Sequence, residues 1–80
     1  MQQLQKHLVN AVYVNEVNIG NTPTAYTFEQ GQTYYIVYKQ NNTVVFSKEL
    51  KVNNKKSVTF NISDGRPFYT NIITEEITYL

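Results

Sequence analysis

Eighty residues with a net charge of +1, no cysteine and one histidine, His7, make one small domain spanning 1–80, with neither a disulfide nor a zinc site to staple it. Seven basic and six acidic side chains are scattered along the chain. That excludes the concentrated basic face of a typical nucleic-acid binder, and no apolar run approaches the ~18 residues of a membrane-spanning helix. Val, Ile, Thr, Tyr and Phe supply 35 residues, a set that suits pleated, half-buried surface, and ten asparagines supply turns.

Residues 1–8 read as a helical turn or an extended arm. "MQQLQKHLV" is too polar for the apolar segment of a signal peptide. With Gln2 directly after Met1, the expectation is a complete product that stays where it is made. "LVNAVYVN" sets Val12 and Val14 against Ala11 and Tyr13 and predicts a first strand. "NEVNIGN" is expected to turn the chain back, with Gly20 taking positive φ. Pro23 then fixes the direction in which the chain leaves, and "TAYTFE" makes a short strand before a second reversal at Gly31.

"QTYYIVYK" places Tyr34, Ile36 and Tyr38 on one face and Thr33, Tyr35, Val37 and Lys39 on the other. After "QNN", the run "TVVFSKELKV" holds Val44, Phe46, Leu50 and Val52 in phase. "NNKK" turns, and "SVTFNIS" points Val58, Phe60 and Ile62 inward. Together these predict a meander of three antiparallel strands with one buried face. "SDGRPF" reads as a turn, and "FYTNIITEEITYL" as a closing strand with an exposed Glu75-Glu76 in its middle. The expected architecture is all-β, a small antiparallel Ig-like β-sandwich, with an OB-like small barrel as the alternative. Its core would be Val12, Val14, Ile36, Val44, Phe46, Val58, Phe60 and Ile62.

"VYVNEVNIGNTP", "FEQGQTYYIVY" and "FSKELKVNNKKSVTFNI", spanning about residues 12–62, resemble the PEGA domain, a small Ig-like β-sandwich of surface and envelope proteins. Val12, Val14, Gly20, Thr22, Pro23, Gly31, Tyr34 and Val52 hold places that match its pattern. Glu16 stands where the family favours glycine, Gln30 interrupts the Pro-Glu-Gly signature, and "NN" replaces the usual Gly-Tyr. The resemblance implies the fold and no active site.

Chemistry is sparse. His7 has no second histidine or cysteine to share a metal, and Ser47, Ser57 and Ser63 lack a nucleophile-elbow context. On a strand Glu75 and Glu76 would point to opposite faces, so they form no carboxylate pair. Asp64-Gly65 has neither the spacing nor the acids of a calcium loop. No catalytic residue, cofactor or metal is expected. Asn41-Asn42-Thr43 and Asn61-Ile62-Ser63 match glycosylation acceptors, and with no signal peptide expected the match is read as chance.

Seven tyrosines are the compositional excess, and tyrosine suits interfaces. Tyr35, Val37, Ile77 and Tyr79 are the expected protein-contact residues, rimmed by Asn and Thr. The reading is a non-enzymatic structural or interaction module, an accessory (decoration, neck or tail) protein of a tailed-phage virion. Its partner would be a repeated virion protein such as a capsid subunit, its site the virion assembled in the host cytoplasm, and it would engage neither membrane nor nucleic acid. The alternative is a cytoplasmic monomeric binding module, carbohydrate-binding or an intracellular inhibitor of a host protein.

Overall fold

Alternating apolar residues become eight strands in the computed structural model, which describes residues 9–80: β1 (Asn10–Val14), β2 (Val17–Asn21), β3 (Thr24–Phe28), β4 (Thr33–Gln40), β5 (Thr43–Lys51), β6 (Lys56–Ser63), β7 (Arg66–Asn71) and β8 (Ile77–Tyr79). They pair antiparallel in two four-stranded sheets: sheet A runs β2-β1-β4-β5 and sheet B runs β3-β6-β7-β8. The inner faces pack on each other as a β-sandwich, as expected. No closed OB-like barrel forms, because the strands divide into two separate sheets. An immunoglobulin constant-type sandwich also pairs its third strand with its sixth and its sixth with its seventh, but its other sheet runs 1-2-5-4 rather than 2-1-4-5. The N-terminal arm and His7 lie outside the described residues.

Three hairpins close on two-residue turns whose central residues both have positive φ, the type I′ pattern that matches strand twist. These are Asn15-Glu16, Asn41-Asn42 and Asp64-Gly65. The first corrects the expected reversal at Gly20. The chain turns four residues earlier, and Gly20 sits inside β2 at a register shift, with φ 130°. Ile19 is the extra residue of that bulge and packs against the core. Gly31, with φ 78°, does stand at a reversal: its N–H bonds the Val52 carbonyl as the chain crosses from sheet B back to sheet A. The Thr22–Pro23 bond is cis, at the crossing from β2 to β3.

The meander is also corrected. β4 and β5 form a hairpin, but β6 leaves sheet A and pairs with β3 and β7. Val52, at the crossing, is buried and joins the core. "SDGRPF" is a turn only at Asp64-Gly65, since Arg66–Asn71 is β7. Pro67 fits there because its carbonyl accepts from Leu80 N–H, so its donorless nitrogen faces the β8 side and not the β6 ladder. The closing segment is two strands, with Glu75-Glu76 in the loop between them.

Val12, Val14, Ile36, Val58 and Phe60 are buried as expected; Phe46 and Ile62 are half-buried at the margin. Val44 is 54% exposed. A bulge explains it: Tyr38 pairs with Phe46 and Lys39 with Val44, so Val45 has no partner and Val44 turns outward with Lys39. Aromatic rings take the space that extra aliphatics would have filled. Phe28 lies 4.9 Å from Tyr34 and 5.6 Å from Phe60, and Phe60 lies 6.2 Å from Tyr69. Such pairs add about 0.5–1.5 kcal/mol each beyond their buried area.

Both buried hydroxyls of sheet A are satisfied. Tyr34 Oη accepts from Glu29 N–H at 2.8 Å, and Tyr38 Oη donates to the Asn61 carbonyl at 3.0 Å with Phe68 O at 3.3 Å. Burial pushes the Tyr38 phenol far above the usual tyrosine range.

Phe60→Ala should cost about 3–5 kcal/mol in a urea melt, close to the total stability of so small a domain; an unchanged midpoint would put Phe60 outside the core. Glu16→Gly should stabilise by up to about 1 kcal/mol, because the left-handed turn position strains Glu16 and not glycine. A lower midpoint would refute that account of the turn. The raised phenol makes stability fall as pH rises beyond the ordinary value of 10.0, since unfolding releases a group that ionises more readily in water. In Tyr38→Phe that alkaline loss should be shallower, and an identical pH profile would show that Tyr38 does not titrate with unfolding.

Candidate functional surface

β1 and β4 are the central strands of sheet A, and each buries alternate residues against sheet B. Their remaining residues therefore face outward together. Tyr13 stands opposite Val37, and Ala11 opposite Lys39. Tyr13, Val37 and Lys39 line, with Tyr35, Val44 and Glu16, a shallow groove of about 430 Å³. Tyr35 is 47% exposed.

Turn asparagines fix the groove floor. Asn15 bonds Tyr35 on both sides, donating its N–H to the Tyr35 carbonyl at 2.9 Å and accepting from Tyr35 N–H through Oδ1 at 2.8 Å. At the other end, Asn41 N–H donates to the Val9 carbonyl. Each hairpin turn thus extends the pairing of β1 with β4 beyond its last strand residue. The Lys39 ammonium lies 4.3 Å from the centre of the Tyr13 ring, a cation–π contact of about 0.5–1 kcal/mol at an exposed site. A second, more polar depression adjoins the first, sharing Tyr13 and Lys39 and edged by Asn18, Asn21, Asn41 and Asn42.

The four expected contact residues do not form one surface. Tyr35 and Val37 lie on the outer face of sheet A. Ile77 and Tyr79 lie on the outer face of sheet B, across the sandwich, beside Thr70 and Phe68. The C-terminal segment therefore gives no cover to Tyr35. Tyr79 packs on Phe68 with ring centres 5.5 Å apart, and the Arg66 guanidinium lies 4.1 Å from the centre of the Tyr79 ring. Above this face, Asn71 Oδ1 accepts from Ile73 and Thr74 N–H, holding a loop on which Ile73 is 83% exposed.

Tyr13 and Val44 are groove residues beyond the expected four. Alternation against Val12 and Val14 already placed Tyr13 outward. Nothing in the alternation of "TVVFSKELKV" marks the bulge that turns Val44 out. Ser57 Oγ pairs with Thr27 Oγ1 at 3.3 Å, with no base beside it. Among the described residues no group of three or more His, Cys, Asp or Glu side chains could hold a metal, and no helix is long and apolar enough to cross a membrane. No protein-family model, curated protein or solved structure matches the chain.

Proposed function

We propose that this chain is a non-enzymatic interaction module that docks on a protein through the outer face of sheet A. The apolar groove formed by Tyr13, Tyr35, Val37 and Val44 carries the reading. Large apolar groups gathered on a sheet's outer face, rimmed by amide side chains, have the make-up of a protein interface. A Tyr35 backbone held on both sides by Asn15 lowers the ordering cost of binding.

At its finer level the proposal is an accessory protein of a tailed-phage virion, assembled in the host cytoplasm and seated on a repeated subunit such as the capsid protein. Occupying many identical sites would supplement a marginal core by mass action. A PEGA-like, Ig-like ancestry over residues 12–62 belongs to the same proposal. Carbohydrate stacking is the weaker reading, because Lys39 already occupies a face of Tyr13 that a sugar ring would use. The inhibitor reading lacks the strong charge patch that speeds such association, with net charge only +1.

Sedimentation of native extract tests the proposal. The 9.3 kDa chain should travel with a megadalton particle, and Tyr35→Ser should return it to the light fractions while its melting midpoint stays within about 4 °C. A wild-type chain found only as a free small species would count against the virion role, and unfolding of Tyr35→Ser would place that ring in the core.

A further inference from the structure

The outer faces of the two sheets carry matching patterns. In the sheet A groove, Glu16 lies at one end and the Lys39 ammonium is held on Tyr13 toward the other, with Tyr35 and Val37 between. Across the molecule, β8 presents Ile77 and Tyr79 as an apolar ridge, 55% and 51% exposed. Glu75 and Glu76 lie at one end of that ridge, and the Arg66 guanidinium is held on Tyr79 at the other. Each cation is fixed by an aromatic ring, so the polarity of each face is built in. Each acid lies just beyond one end of its apolar strip, Glu16 in the β1–β2 turn and Glu75 and Glu76 in the loop before β8.

We propose that copies of this chain associate head to tail, the β8 ridge of one seated in the sheet A groove of the next. Laid in antiparallel, the ridge sets its glutamates against Lys39 and Arg66 against Glu16, with Ile77 and Tyr79 over Tyr35 and Val37. Because the two surfaces differ and lie on opposite sides, the contact is heterologous and repeats: it closes into a ring or continues as a filament. This rests on reading the sheet A face as a docking surface, and it gives that groove a second copy as occupant in place of a virion subunit.

Analytical ultracentrifugation of the full chain, up to about 1 mM to capture a Kd of that order, tests it. Wild type should show a concentration-dependent rise in mass beyond a dimer, reduced by salt. Tyr35→Asp, which spoils the groove, and Ile77→Asp, which spoils the ridge, should each remain monomeric. Their equimolar mixture should form a dimer and nothing larger, because one intact groove then meets one intact ridge. Circular dichroism checks that both variants are folded, and Tyr35→Ser with Tyr79→Ser replaces any that is not. A mixture that stays monomeric overturns the proposal, as does a wild type that stops at a dimer. A monomeric wild type that still sediments with a large particle overturns self-association alone. One that does neither overturns the docking reading as well.

Discussion

The Tyr38 hydroxyl, donated across the interior to the Asn61 carbonyl, joins the centre of sheet A to the β6–β7 hairpin of sheet B. A chain with no cysteine must hold two sheets together by side chains alone. Aliphatic residues from two short faces give little area, so the interior is filled by rings: Phe28, Tyr34, Tyr38, Phe60 and Tyr69 all lie within it. Buried phenols bring a second demand, since each hydroxyl needs a partner in a region without water. Tyr34 meets it at the Glu29 amide and Tyr38 at the Asn61 carbonyl. No buried side-chain nitrogen or oxygen among the described residues is left without a partner. Both hydroxyls thus tie sheet A to chain segments of sheet B.

Much of this was legible in the letters. Period-2 alternation separated Tyr34, Ile36 and Tyr38 from Tyr35 and Val37, and the structure buries the first set and turns the second outward. Asp64-Gly65 marked its hairpin because aspartate and glycine both accept positive φ. The Asn15-Glu16 turn was hidden because glutamate is a poor occupant of that conformation, and Gly20 drew the reversal to itself. Bulges were hidden for a different reason. An extra residue at Val45 changes the phase of the strand without changing its composition, so Val44 read as core. Sheet membership was hidden as well. Short connections such as "NNKK" serve a hairpin within one sheet or a crossing between two, and local sequence does not separate them.

The candidate surface depends on the same two devices. Type I′ turns bring Asn15 and Asn41 to the two ends of the β1–β4 pair, where amide groups continue the ladder past the strands. The bulge in β5 then delivers Val44 to a face that regular alternation would have left to Val45. Ile77 and Tyr79 go to the opposite side because β8 joins sheet B through β7, which buries Tyr69 and leaves Phe68 and Thr70 outward. The four residues expected on one patch lie on two faces, separated by the core.

Strand β4 carries the interior on its even-numbered positions from Tyr34 to Tyr38 and the groove on Tyr35, Val37 and Lys39. Six consecutive residues, Tyr34 to Lys39, thus answer to two different physical demands. The inner letters are constrained by volume and hydroxyl reach, while the outer letters are free to follow whatever surface they meet. Point changes at the outer positions change the exposed face without touching the packed interior. Inserting or deleting one residue exchanges the two sets along the rest of the strand. Such a scaffold diversifies by substitution and is intolerant of frame slips within its central strands.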